Sequence, residues 1–271
     1  MSRLHVISGL PRSGSTLLSA ILRQNPRFRA DVTSPILMLC GAVLEKMTPN
    51  TEFSSFFDDA RRRTILRGLF DAYYAATGAD HVVFDTNRLW TGKTALLRDL
   101  YPNVRLICCV REVGSIIDSL ERMLRKNPLQ HSRVFQFKPG TSVYGRVETL
   151  MNSESGLIGL PWAALREAWF GEDAKSLIVV PYESLVRDPA RVMARLYQEL
   201  GEPPFAHDFN AVAYDTPAYD ADLGMPGLHA VRSKVEAESR EPSIPPDIFA
   251  EQAKLSFWNT PHLNRRGVTV L

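Results

Sequence analysis

The chain is poor in cysteine, has no long apolar run and carries almost no net charge, and each shortage removes a class of protein. Three cysteines in 271 residues, two of them adjacent at Cys108 and Cys109, supply neither a disulfide scaffold nor the spacing of a zinc site. No window is long and apolar enough to span a bilayer. Strand-like sequence begins almost at the first residue, so no signal peptide is expected, and the chain reads as a soluble, cytoplasmic protein. With 32 basic and 30 acidic residues the formal net charge is +2, which argues against broad nucleic-acid binding. An anionic ligand would need a local cluster of cations. Hydrophobic residues make up 45% of the chain, enough for a sizeable core.

A further absence lies inside the most informative stretch, Gly9-Leu10-Pro11-Arg12-Ser13-Gly14-Ser15-Thr16. Leu4 to Ser8 before it reads as a buried strand, and Leu17, Leu18, Ile21 and Leu22 after it recur at helical spacing. Strand, glycine loop and helix form a phosphate cradle, in which backbone N–H groups and the positive end of the helix face an anion. The two glycines have P-loop spacing and Thr16 stands at the loop's final Ser/Thr position. Ser15, however, occupies the place of the phosphate-gripping lysine, and Arg12 is the loop's only cation. The pattern predicts a phosphate site but not ordinary Mg-ATP hydrolysis.

Further along, Phe28 to Val32 reads as a short strand and Thr33-Ser34-Pro35 as a helix start. Phe56 to Ala76 has an amphipathic helical pattern carrying Arg61-Arg62-Arg63, an anion patch or a solvated face. His81 to Asp85 is an apolar run ending in a carboxylate. Thr91-Gly92-Lys93-Thr94 resembles the tail of a P-loop, but Asn87 stands where the first glycine is needed, so a helix start is expected. Val104 to Val110 is a nearly continuous buried strand with Arg111 at its carboxyl end. In the helix that follows, Ser115, Ser119 and Arg122 share one face, which meets water or a phosphate. Trp162 to Phe170 reads as a helix, Leu177 to Val180 as a strand, and Arg187-Asp188-Pro189 opens a helix ending near Gly201. The irregular stretches 127–161 and 214–246 are expected to be lid or acceptor-binding segments. The second is a flap or a packed surface loop.

Alternating strands and helices imply one α/β domain over residues 1–271. The expected fold is P-loop-type and three-layered, with a mostly parallel central sheet and helices on both faces. Gly9 to Thr16, Asp31, Asp85 and Arg111 all follow predicted strands and should meet at the carboxyl edge of the sheet, where such folds bind ligands.

Three stretches resemble the sulfotransferase family. Gly9 to Leu18 is similar to its loop for the 5′-phosphosulfate. Val110-Arg111-Glu112-Val113-Gly114-Ser115-Ile116-Ile117-Asp118-Ser119 is similar to its 3′-phosphate motif, and Val179 to Pro189 to a later strand and turn. Pro-Arg-Ser-Gly-Ser-Thr at 11–16 resembles the form in tyrosylprotein sulfotransferases and their bacterial relatives. The resemblance implies transfer of a sulfuryl group from 3′-phosphoadenosine 5′-phosphosulfate (PAPS), without an obligatory metal, to a hydroxyl or amine of a peptide tyrosine or small molecule. It implies that Pro11 to Thr16 cradle the 5′-phosphate, with Arg12 neutralising charge on the leaving oxygen. Ser13, Gly14, Ser15 and Thr16 would supply donors, Arg111 and Ser119 would hold the 3′-phosphate, and Tyr182 would lie on the nucleotide side.

Two departures concern the catalytic base. The Glu-Glu-Thr stretch of tyrosylprotein sulfotransferases is replaced by Asp31-Val32-Thr33-Ser34. Asp85-Thr86-Asn87-Arg88 offers neither their lysine nor the histidine of the cytosolic enzymes. A carboxylate at a strand end can take a proton from an acceptor within reach, which makes Asp85 the first candidate and Asp31 the second, each otherwise a brace for its loop. Arg88 is the candidate for the lysine's electrostatic role. Two other readings stay open: a P-loop small-molecule kinase, and a nucleotide-binding interaction protein without catalysis. The sequence leaves oligomeric state open, a dimer included.

Overall fold

In a computed structural model, which describes residues 3–49, 52–78, 80–126, 142–237 and 240–271, the apolar runs pair into one sheet. Its strands are β1 (Arg3–Gly9), β2 (Phe28–Ala30), β3 (Val82–Thr86), β4 (Leu106–Val110), β5 (Leu177–Pro181) and β6 (Thr269–Val270). Their order is β2-β3-β1-β4-β5-β6, and every neighbouring pair is parallel. The helices are α1 (Ser15–Leu22), α2 (Ile36–Lys46), α3 (Asp59–Tyr73), α4 (Thr94–Leu100), α5 (Val113–Lys126), α6 (Val143–Met151), α7 (Gly159–Phe170), α8 (Tyr182–Arg187), α9 (Pro189–Leu200), α10 (Pro217–Asp222) and α11 (Pro246–Ala253).

Successive strand residues point to opposite faces, and this alternation divides the core. Val6, Cys108, Val110 and Val179 pack with Ile36 of α2, Phe70 of α3, Ile116 of α5 and Trp169 of α7. Ile7, Ile107, Cys109 and Val180 pack with Leu18 and Ile21 of α1 and Leu196 of α9. β3, β4 and β5 are therefore buried at every position, which explains their lack of polar alternation. The α/β, three-layer expectation holds. No helix among the described residues is long and apolar enough to cross a membrane.

The chain leaves β1 toward one side of the sheet and returns through β4 on the other, so the strand order switches beside β1. The carboxyl ends of β1 and β4 flank that switch, where an open α/β sheet leaves a crevice. Gly9 is required there: its φ is +112° and an added Cβ would lie 2.1 Å from the Cys109 carbonyl oxygen. Thr91-Gly92-Lys93-Thr94 forms a short 3₁₀ turn (Trp90–Lys93) leading into α4, the helix start implied by its missing glycine. Arg61, Arg62 and Arg63 bind the Phe56 carbonyl, Asp59 with the Met47 carbonyl, and Asp99 respectively, so each has its own local partner. Of the stretch 127–161, residues 127–141 lie outside the described residues; the remainder holds α6 and the start of α7.

Candidate active site

A cavity of about 530 Å³ opens at the carboxyl ends of β1 and β4, lined by Pro11, Arg12, Gly14, Ser15, Thr16, Arg111, Ser119 and Tyr182 among others. The glycine loop reaches it through two left-handed residues. Gly14 has φ +89°, and an added Cβ would meet the Tyr182 ring at 2.8 Å. Arg12 has φ +55°, the only positive-φ residue other than glycine among those described. A bulky residue in that conformation is strained, and the surrounding contacts hold it. Its Nε donates to Ser119 Oγ at 3.2 Å and its Nη1 to the Leu228 carbonyl. Two motifs 107 residues apart thus touch through one guanidinium.

The start of α1 is open. Gly14 is its N-cap and provides no side-chain cap, so the first-turn N–H groups have no partner within the helix. Ser13 takes another part: its buried hydroxyl donates to the Leu10 and Cys109 carbonyls and it does not line the cavity. Its side chain ties the loop to β4, leaving only its backbone to face an anion.

Arg111 follows β4, donates to the Arg12 carbonyl at 3.4 Å and lies over the Tyr182 ring, 4.5 Å from its centroid. Arg88 enters from the loop after β3, whose backbone is tied to the end of β1 by Ser8 Oγ donating to the Arg88 carbonyl at 2.9 Å. Among the described residues its guanidinium has no hydrogen-bond or ion-pair partner, and it lines the cavity, exposed to solvent. Burial draws the pKa values of both Arg12 and Arg88 below the ordinary guanidinium range, and the neighbouring Arg111 charge lowers that of Arg12 further. None of Arg12, Arg88 and Arg111 forms an ion pair with a carboxylate among the described residues. Crowded, unneutralised cations of this kind favour an anion. Of the serine face on α5, Ser119 contacts Arg12. Ser115 donates to Glu112, and Arg122 is held by Asp118 at 2.7 Å and the Glu241 carbonyl.

The sulfotransferase family profile matches residues 6–207. The chain belongs to the sulfotransferase family. A sulfotransferase domain from the curacin biosynthetic pathway is similar in fold, with TM-score 0.60 and 16% identity over 96% of this chain and 97% of that one. A sulfotransferase from Alicyclobacillus acidocaldarius gives TM-score 0.50 and 16% identity over 82% and 90%. No curated protein sequence matches the chain significantly.

The two carboxylates expected as candidate bases, Asp85 and Asp31, adjoin the cavity without lining it. Asp85 is fully buried, accepts from Ser34 Oγ, Tyr74 Oη at 2.7 Å and Trp90 Nε1 at 2.6 Å, and does not line the cavity. Burial pushes its carboxyl up, opposed by those three donors. Asp31 is bound by Arg23 at 2.9 Å and Arg29 at 2.8 Å and also lies outside the cavity lining. The segment 212–235 closes one side of the cavity. It is stitched by Val212 N–H to the Ser233 carbonyl (2.7 Å), Val231 N–H to the Tyr214 carbonyl (2.9 Å) and Val235 N–H to the Phe209 carbonyl (2.8 Å). Tyr219 and His229 line the cavity from this segment. The sequence offered this stretch only as a flap or packed surface loop and gave no sign of the Asp220–His229 pair, because nothing in the spacing shows that Asp220 folds back on His229.

Proposed function

We propose that this sulfotransferase transfers a sulfuryl group from PAPS to an acceptor hydroxyl or amine. The observation that carries the reading is the Arg12–Ser119 contact, which joins a loop suited to one phosphate to a helix face suited to another. A nucleotide with phosphates on both its 5′ and 3′ positions spans two such sites. The residues present fit it: an uncapped helix start, a glycine that lets the loop approach Tyr182, and three arginines without carboxylate ion pairs among the described residues.

On this reading the donor supplies an activated sulfuryl group attached through a good leaving phosphate. Ser15, Thr16 and the open N–H groups of α1 hold the 5′-phosphate. Arg111 and Ser119 hold the 3′-phosphate through charge-assisted hydrogen bonds, with Tyr182 flanking Arg111 on the nucleotide side. Arg12 neutralises negative charge as it develops at the leaving oxygen, a contribution of about 10²–10³ in rate in comparable sites. Arg88, which lines the same cavity, steadies charge on the group being transferred. No metal is assigned a role. The acceptor is a small molecule or a peptide tyrosine. The three cysteines are free and buried, which supports a reducing, cytoplasmic setting. Strands drawn from residue 3 to residue 270 support a single domain.

Thermal unfolding with and without ligand tests the donor. At about 100 times its dissociation constant, 3′-phosphoadenosine 5′-phosphate should stabilise the fold by about 2.7 kcal/mol, with or without Mg. Stabilisation by Mg-ATP alone would return the chain to the kinase reading. Binding without sulfuryl transfer to any of a broad set of hydroxyl and amine acceptors would favour an interaction protein.

A further inference from the structure

The neighbourhood that holds the donor cations also contains a carboxylate–imidazole pair. His229 Nδ1 lies 2.5 Å from Asp220 Oδ1, and the His229 backbone N–H donates to Asp220 Oδ2 at 2.9 Å. One carboxylate therefore fixes both the ring and the backbone of the same histidine. Asp220 is completely buried, whereas the His229 side chain keeps 19% of its surface exposed, and His229 lines the cavity. With Nδ1 committed to Asp220, the ring proton sits there and Nε2 carries a free lone pair. Nε2 has no hydrogen-bond partner among the described residues.

The position is built rather than incidental. Asp220 ends one side of a tight loop closed by Met225 N–H to the Asp220 carbonyl (3.0 Å) and Leu228 N–H to the Met225 carbonyl (3.1 Å). Gly224 and Gly227 make its turns at φ +66° and +77°. The loop delivers the Leu228 carbonyl to the Arg12 guanidinium, so the residue that follows, His229, stands beside the cation of the glycine loop. The Tyr219 ring packs 5.4 Å from the imidazole. The charged groups acting on His229 are Asp220, Arg12 and Arg88. Burial and the two arginines lower its pKa below the ordinary histidine range, outweighing Asp220, so the ring is neutral near pH 7.

We infer that His229 is the general base of the reaction and that Asp220 is its positioning residue. The inference rests on the donor reading above. His229 Nε2 takes the proton from the acceptor O–H or N–H as that atom bonds to sulfur. The bond from sulfur to the 5′-phosphate oxygen breaks, and its electron pair leaves on that oxygen beside Arg12. Asp220 holds the tautomer and stabilises the imidazolium that results. No oxidant or further reactant is needed. A histidine on the 212–235 segment would supply the base in place of the carboxylates that follow β2 and β3.

The test compares wild type, His229→Gln and Asp220→Asn with two acceptors, phenol and p-nitrophenol, the second assayed at a pH where it is already ionised. Binding of 3′-phosphoadenosine 5′-phosphate is measured by calorimetry alongside. His229→Gln should bind the bisphosphate within about threefold of wild type, lose about 10²-fold or more in transfer to phenol, and lose far less with p-nitrophenol, which has no proton to give. The histidine titration followed by NMR in the donor-free protein should coincide with the acidic limb of the kcat/KM profile. Asp220→Asn should move both to lower pH, because Asp220 raises the pKa of His229. Unchanged phenol transfer in His229→Gln, an equal loss with both acceptors, or a limb unmoved by Asp220→Asn would overturn the assignment. Failure of wild type to bind the bisphosphate would instead remove the donor reading beneath it.

Discussion

Gly14→Ala probes how the glycine loop and the β5 turn share space. Gly14 has φ +89° and ψ 15°, where a residue with a Cβ costs about 1–2 kcal/mol. The new methyl group would also sit 2.8 Å from Tyr182 Cδ2, closer than real contacts allow, so the ring must swing away. That displaces it from Arg111, whose guanidinium is 4.5 Å from the ring centroid, at a further cost of about 0.5–1 kcal/mol. The sum is about 1.5–3 kcal/mol, a fall in Tm of roughly 3–10 °C for a chain of this size. Because Arg111 loses its support, affinity for 3′-phosphoadenosine 5′-phosphate should fall by about tenfold, equivalent to ~1.4 kcal/mol. Differential scanning calorimetry and isothermal titration measure the two effects. Gly41→Ala is the contrasting substitution: Gly41 lies within α2, and its added Cβ meets nothing within 4 Å. It should be neutral or stabilise the helix by up to about 1 kcal/mol. A Gly14→Ala protein that melts with wild type and binds the bisphosphate equally well would refute the shared-space reasoning.

Asp85→Asn should act on stability rather than on chemistry. The amide turns a donor toward a site already filled by Ser34, Tyr74 and Trp90, at a cost of about 1–3 kcal/mol, while turnover per folded molecule stays within a few-fold. A loss of 10²-fold or more in kcat, read by transfer assay against folded fraction, would restore Asp85 as the base. His5 gives a pH prediction. It is buried, accepts from the Arg105 N–H at 3.1 Å, and burial with Arg3 and Arg105 nearby lowers its pKa to about 4. The unfolded chain therefore binds a proton more readily, so stability present above about pH 6.5 is lost as pH falls toward 4. Its share between pH 7 and pH 5 is about 2 kcal/mol. Urea unfolding at both pH values should show this loss in wild type and a flatter dependence in His5→Gln; identical slopes would count against it.

Much of the fold was legible because each strand declares itself by a short apolar run. Leu4 to Ser8 became the centre of β1, and Val104 to Val110 contained β4. The helix read over Phe56–Ala76 is shorter, Asp59–Tyr73, because Asp58 caps it by accepting from the Arg61 N–H at 2.7 Å. β6, only Thr269–Val270, was not legible: two residues carry no period, and their pairing with β5 is a tertiary event. The placement of Arg12, Arg111 and Ser119 around one cavity could be read because loop spacing and strand ends fix backbone position. The hydroxyl direction of Ser13 could not, since it depends on a carbonyl 96 residues away. Asp85 and Asp31 follow strands as their sequence positions imply, but the partners that hold their side chains come from distant or unpatterned positions and could not be read. Asp220 and His229 lie in a segment without regular period, where only the folded loop brings them together.

Calorimetric titration with 3′-phosphoadenosine 5′-phosphate, set beside adenosine 5′-monophosphate, decides whether one cavity reads two phosphates. Wild type should prefer the bisphosphate by at least about 10²-fold, the scale of two charge-assisted hydrogen bonds at about 1.5–3 kcal/mol each, and Arg111→Ala should bring the two nucleotides close to parity. Equal binding of both nucleotides by wild type, or a preference that survives Arg111→Ala, would contradict the two-phosphate clamp.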